Sequence, residues 1–352
     1  MTLPGEPVRG RGASWNPQNR FETLEYVVDD EAHVELDGPA PKTIYLRDPS
    51  RSIIATNDSP DVGFDASINP YRGCEHGCIY CYARPSHEYL GFSAGLDFET
   101  KILVKEDAPQ LLREELNKKS WEPKVIAISG VTDPYQPIER KLQITRGCLE
   151  VLADFRNPVG IITKNALVTR DIDHLAELAR YNAARVYISI TSLDTHVQRV
   201  MEPRTSSPEL RLDAIRKLTA AGIPAGVMVA PTVPGLTDHE MPQILAAAHD
   251  AGATGAGYVV LRLPWAVAPL FEKWLEEQFP DRKDKVLNRI RDLRGGKLYD
   301  AQWGVRGRGQ GIFAEQIGAI FDVTCRRLGL NQEKHEMSTE HFRRRGLQGT
   351  LF

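Results

Sequence analysis

Five short apolar runs recur through the middle of the chain: "VIAIS" (125–129), "VGIIT" (159–163), "RVYISI" (185–190), "AGVMVA" (225–230) and "GYVVL" (257–261). They are spaced by roughly the length of a βαβ unit, about 30 residues or more. Each run is apolar throughout rather than alternating, so helices must cover the sheet they build. Helical patterns fill the gaps at 169–181, 208–222 and 237–252. The second of these opens after Ser207, a good N-cap, and closes on Gly222, a good residue to follow a helix. A further strand near 65–69 brings the count to about six βα units. The predicted fold is therefore α/β, an open or partial (β/α)6 TIM-like barrel.

The flanks lack this rhythm. Residues 1–60 are turn-rich and predict an N-terminal extension that wraps the core, partly disordered, with one or two short strands inside "KTIYLRDPSRSIIATNDSP". The barrel is expected over 61–265. Residues 266–335 read as a helical region packed on it: two helices around Pro280, then a Gly-rich loop running into another helix. Residues 336–352 are polar and predict a flexible tail. With 41% apolar residues in 352, the chain can bury a core. A net charge of −3 excludes a global basic field for nucleic acid but not a local basic patch. No apolar run approaches the roughly 20 residues of a membrane span. "MTLPGEPVRGRGASW" has no apolar signal core, so the expected location is cytoplasmic.

The chemistry concentrates in "NPYRGCEHGCIYCYARP" (69–85), which holds three of the five cysteines: Cys74, Cys78 and Cys81. In a reducing compartment, clustered cysteines mark metal or redox chemistry. Thiolates suit zinc, copper(I) and iron–sulfur clusters. Gly73 and Gly77 let such a loop turn tightly. A structural zinc site needs a fourth ligand, from His76, Cys148 or Cys325, and would make the chain a zinc-stabilised nucleic-acid-binding module without catalysis. An iron–sulfur cubane held at three corners instead leaves one iron open.

The C-x3-C-x2-C spacing with Tyr80 before the last cysteine resembles the radical S-adenosylmethionine (radical SAM) superfamily. The resemblance implies a [4Fe-4S] cluster on Cys74, Cys78 and Cys81, S-adenosylmethionine chelated by the open iron, and a 5′-deoxyadenosyl radical that takes hydrogen from substrate. It also implies a low-potential electron donor such as flavodoxin or ferredoxin. Three further stretches, 160–175, 186–235 and "WGVRGRGQGIF" (303–313), are similar to the spore photoproduct lyase group, whose lyase reverses a thymine dimer in DNA. The extension and cysteine loop look more like a broad bacterial set of lyase-like proteins without a settled reaction. The lyase returns hydrogen from a cysteine just past the second strand. The corresponding stretch here, 128–140, contains none. Tyr135 and Cys148 are the weak replacements, each more readily read as a packing residue.

In parallel barrels the chemistry sits at the C-terminal strand ends. Ser129, Thr132 and Asp133 there offer oxygens to the methionine ammonium. Lys164 counters the carboxylate, as the lyase-like pattern implies. Ser189 bonds the ribose, Ala230 walls the adenine, and the Tyr80 backbone meets the adenine edge by family resemblance. Local capping is the alternative for each hydroxyl. Glu202 and Arg204 either shape the pocket or pair with each other. The final "QGTLF" resembles the bacterial sliding-clamp-binding pentapeptide, with Gln348, Leu351 and Phe352 as its contacts, and "RRR" (343–345) before it suits DNA phosphate. The leading expectation is a radical SAM enzyme on DNA or a nucleotide, in a repair-like reaction. The alternative is a radical SAM enzyme acting on a protein, RNA or small molecule.

Overall fold

The computed structural model describes residues 8–21, 41–332 and 336–344. Six parallel strands form one open sheet: Ala66–Ile68, Ile126–Ile128, Val159–Thr163, Ala184–Ser189, Ala225–Thr232 and Gly255–Val260, called strands one to six. They lie in sequence order across the sheet, and the short strand Ile54–Thr56 adds antiparallel to the free edge of strand one. Strand six pairs with strand five and with no other strand among the described residues. This is the partial (β/α)6 barrel that the apolar runs predict.

The order follows from the covering helices. Ile144–Phe155, Ile172–Ala179, Pro208–Ala220 and Met241–Asp250 each connect one strand to the next. Their apolar faces, such as Leu149, Leu152 and Phe155, meet the outward residues of the strands in one core. Ser207 caps its helix, accepting from the Leu210 N–H at 3.4 Å, and Gly222 beyond its end takes φ +76°, which a β-carbon would disfavour. Beyond strand six, Val267–Gln278 and Lys283–Asp292 form the helix pair around Pro280, and Ile312–Leu328 is the last helix. No helix of the described residues is long and apolar enough to cross a membrane.

A second sheet lay outside the predicted rhythm. Ile44–Arg47 pairs parallel with Lys101–Val104, which pairs antiparallel with Tyr71–Arg72. It holds both margins of the cysteine loop, because that loop departs directly from Arg72 and the chain returns through Lys101. In addition, residues 336–344 pack against the barrel rather than trailing from it. The Phe342 and Phe155 ring centroids lie 6.2 Å apart, and the Arg343 N–H donates to the Phe155 carbonyl at 2.9 Å.

The margins of the open sheet are bridged through the 303–309 loop. The Gly304 N–H donates to Asp61 Oδ1 at 2.7 Å, and Arg306 pairs with Asp61 and bonds Ser59. Residues 59–61 precede strand one, whereas the 303–309 loop is fastened to strand six through the Val260 N–H and the Gly307 carbonyl at 2.9 Å.

Candidate active site

Cys74, Cys78 and Cys81 occupy the loop after strand one and Tyr71–Arg72. Cys74 and Cys78 are buried, Cys81 is partly exposed, and none is in a disulfide. The turns are made by Gly73 at φ +79° and Gly77 at φ +67°. A side chain on Gly73 would press on His87 and the Phe98 carbonyl, and one on Gly77 would meet the Glu99 carboxylate at 2.8 Å.

Glu99 is the hub behind the loop. It is fully buried and accepts from Arg84 Nη2 at 2.5 Å and from the Gly12 and Ala13 N–H groups at 3.0 and 2.9 Å. Arg84 also donates to the Cys78 carbonyl at 2.9 and 3.0 Å. The segment 8–21 is thus laced to the back of the thiol loop. Its contact is close enough that a β-carbon on Gly12 would overlap the Gly77 carbonyl oxygen.

The strand ends converge in front of the thiols. Asp133, past strand two, accepts from Thr163 Oγ1 at 2.7 Å and from the Lys164 N–H at 2.8 Å, which ties strand two to strand three. Its Oδ2 lies 3.5 Å from His76 Nδ1 in the cysteine loop. Burial pushes its carboxyl up, but His76 and these hydrogen bonds outweigh it and hold the pKa at about 2. Thr132 donates its hydroxyl to the Tyr71 carbonyl at 3.0 Å. Ser129 sits at φ +102° at the end of strand two, partly exposed.

Lys164 extends from the end of strand three. Its ammonium donates to the Ala230 carbonyl at 3.1 Å and lies 5.9 Å from the centre of the Tyr80 ring. It forms no ion pair within 4.0 Å among the described residues. Ser189, at the end of strand four, is buried, and its hydroxyl makes no hydrogen bond among the described residues.

The buried pair missed by sequence reading lies beneath Tyr80. Glu202 pairs with Arg211 rather than with Arg204, both members being fully buried. Thr191 Oγ1 donates to Glu202 at 2.7 Å and the Tyr80 hydroxyl also donates to it. Arg211 further donates to the Ser189 carbonyl at 2.8 Å, so one ion pair holds the strand-four end and the aromatic of the cysteine motif. Arg204 turns to Glu75 instead, at 3.3 Å. Arg211 carried a signal: it shares a helix face with Ala214, Ile215 and Leu218, where a lone arginine must be paired.

The remaining predicted residues sit elsewhere. Tyr135 is fully buried in the main core, its hydroxyl without a hydrogen-bond partner among the described residues. Cys148 and Cys325 lie in that same core on the Ile144–Phe155 and Ile312–Leu328 helices, away from the thiol loop. Both ring nitrogens of His76 face other groups, Asp133 and Asn165 Nδ2, the latter at 3.2 Å. Cys148 and Cys325 therefore do not supply a fourth ligand, whereas His76 neighbours Cys74. Of the "RRR" triplet, Arg343 donates through Nε to the Asp154 carbonyl at 2.9 Å and Arg344 to the Trp121 carbonyl at 2.8 Å, so both lie against the barrel. Gln348, Leu351 and Phe352 lie outside the described residues.

The donor set can be tested against a cluster. Burial, then the Glu202 charge, pushes the Cys78 thiol well up, and burial with the neighbouring Cys74 pushes Cys81 up to about 11. The Cys78 and Cys81 thiolates are therefore costly unless a cationic centre meets them. Among the described residues no three His, Cys, Asp or Glu side chains gather closely enough for a single metal ion. A cubane instead takes one cysteine at each corner. The residues fit such a group.

The sequence profile of the radical SAM superfamily matches residues 68–248, just over half of the chain. The chain belongs to the radical SAM superfamily. An uncharacterized protein of Mycobacterium tuberculosis is 38% identical over 232 residues, covering 65% of this chain and 67% of its own. Spore photoproduct lyase of Bacillus subtilis is 27% identical over 182 residues, covering 49% of this chain and 47% of its own. The structure of spore photoproduct lyase complexed with dinucleoside spore photoproduct superposes with a TM-score of 0.57 at 18% identity, over 81% of this chain and 80% of that one. That likeness concerns the fold. As a radical SAM enzyme, the chain keeps its thiol loop at the C-terminal ends of strands one to four, where barrel enzymes keep their chemistry.

Proposed function

We propose that this radical SAM enzyme binds a [4Fe-4S] cluster through Cys74, Cys78 and Cys81, and S-adenosylmethionine beside it, to abstract hydrogen from a nucleic-acid or nucleotide substrate. The observation that carries the reading is the joint placement of the three loop thiols, two of them buried, and the Lys164 ammonium at the mouth of the partial barrel. When bound and reduced, the cluster and S-adenosylmethionine supply a 5′-deoxyadenosyl radical. Lys164 offers its ammonium, which donates to the Ala230 carbonyl and forms no ion pair within 4.0 Å among the described residues, to the methionine carboxylate. Ser189 has a free hydroxyl for the ribose. The Tyr80 ring is fixed by Glu202, which leaves its backbone for the adenine edge. Asp133 serves by holding the Lys164 backbone in place. Ser129, Thr132 and Ala230 complete the wall. The nucleotide part of the reading draws support from the lyase relative and from the dinucleoside bound in the similar fold.

Lys164→Ala is expected to weaken S-adenosylmethionine binding by roughly 10- to 100-fold, the loss of one charged hydrogen bond. Iron and sulfide content should stay at the wild-type level. Equilibrium dialysis with labelled cofactor measures this, and unchanged affinity would remove Lys164 from the site. The substrate is tested by anaerobic incubation with damaged, deuterated DNA. Deuterium in 5′-deoxyadenosine supports the reading; cofactor cleavage with no transfer from any DNA rejects the substrate class while leaving the enzyme class standing.

A further inference from the structure

One row of side chains beside the barrel mouth takes no part in the site described above. Trp265 lies in the loop after strand six, just before the Val267–Gln278 helix. It is 56% exposed and sits at φ +46°, a left-handed conformation that a bulky residue adopts only at an energetic cost. The Arg20 guanidinium lies over its ring, 4.3 Å from the centroid, and 5.1 Å from that of Phe21. Phe21 in turn packs at 4.8 Å on Tyr89, which is 73% exposed. Trp265 also meets Tyr299 at 6.0 Å, the rings tilted to each other. The row therefore reads Tyr89, Phe21, Arg20, Trp265, Tyr299, drawn from four separate parts of the chain. Three residues before Trp265, Arg262 covers the exposed Tyr82 ring at 4.9 Å, directly after Cys81.

Arg20 is aimed rather than loose. Its Nε donates to the buried Glu88 carboxylate at 2.7 Å, while its two Nη atoms make no hydrogen bond among the described residues. The fork thus keeps its free N–H groups beside half-exposed aromatic rings. Soluble chains rarely leave so contiguous an aromatic patch exposed without a use.

We propose that this row is a stacking platform for single-stranded nucleic acid, with bases on Trp265, Phe21 and Tyr89 and a phosphate on the free end of Arg20. The inference rests on the nucleic-acid reading above and names the form in which the substrate arrives. Only unpaired bases present their faces to such rings, and each base can stack whatever its identity. The row sets one guanidinium between two pairs of aromatic rings, which suits a single phosphate flanked by stacked bases. The rings stand open, not sunk in a groove of the kind that holds the anchor side chains of a peptide.

The test needs no cofactor turnover. Fluorescence anisotropy of the full chain with a labelled single-stranded oligothymidine is compared with a duplex of the same length. Wild type should prefer the single strand. Trp265→Ala should weaken that binding roughly tenfold and Trp265→Ala with Phe21→Ala roughly a hundredfold, whereas Trp265→Phe should retain it. Val323→Ala, which removes an exposed apolar side chain from the last helix, should change nothing. Circular dichroism melts check that each variant is folded. Undiminished binding by the double variant overturns the platform and leaves the nucleic-acid reading intact. Equal affinity for duplex overturns the single-strand assignment. No binding of either form overturns both. Binding of an unfolded polypeptide probe such as reduced casein, lost in Trp265→Ala and with no oligonucleotide binding, makes the row a peptide surface and overturns the proposal.

Discussion

Cys78→Ala is expected to give a folded protein with no bound iron or sulfide and no cleavage of S-adenosylmethionine. The argument is one of coordination. The three loop thiols are the cysteines at the barrel mouth, and the other two, Cys148 and Cys325, lie in the helical core. His76, two residues from Cys78, lies near Asp133 and Asn165. Cys74→Ala and Cys81→Ala should behave alike, while Cys148→Ala and Cys325→Ala should keep iron, sulfide and the visible absorption of the anaerobic protein. Metal analysis with acid-labile sulfide measures the difference. A Cys78→Ala protein with full iron and sulfide would show that the cluster is held elsewhere.

The largest expected effect on stability comes from Glu202→Gln. It leaves the Arg211 guanidinium fully buried without its carboxylate, which should lower the unfolding free energy by about 3–5 kcal/mol. Replacing both partners, Glu202→Gln with Arg211→Met, should recover much of that loss, because the cost lies in the stranded charge more than in the missing pair. Urea titration measures both. A single variant as stable as wild type would mean that water reaches Arg211. The pair also sets an acid limit. Burial pushes the Glu202 carboxyl up, but Arg211, Lys164, Thr191 and Tyr80 outweigh it and hold the pKa at about 2, against an ordinary 4.5. A depressed carboxylate stabilises the fold above its ordinary pKa, and that contribution fades as pH falls from about 4.5 toward 2. Glu202→Gln should lack this component, so its stability should fall less steeply than wild type across that window.

The parts of this molecule legible in the sequence are those that repeat or cluster. The barrel strands could be read because burial on both faces makes them apolar from end to end, as in Val159–Thr163 and Ala225–Thr232. The thiol loop could be read because its spacing is short and its residues are chemically unusual. A short strand was expected where Ile44–Arg47 lies, but its partners Lys101–Val104 and Tyr71–Arg72, four and two residues long, were not, because strands that short form no period. The buried charges were illegible for another reason. Glu99, Glu202 and Arg84 find their partners through folding, and in sequence they look like surface residues. The partner of Glu202 lies nine positions away rather than two, in the next helix, so the nearby Arg204 was the natural reading and the wrong one. Asp133 shows the same limit in milder form. A carboxylate at a strand end suggests a ligand, yet here its oxygens also fasten neighbouring strands.

The overlap that any side chain at Gly12 would make with the Gly77 carbonyl has a consequence for maturation. Residues 8–21 act as a buckle fastened on Glu99 and Glu88, and the rear of the metallocentre loop stays shut while it holds. Iron and sulfide filling the loop should tighten the fastening, since both depend on one turn. Limited trypsin digestion at Arg9, Arg11 and Arg20 should therefore run slower in the loaded protein than in the empty one, and equal rates would mean that the buckle closes without regard to its cargo.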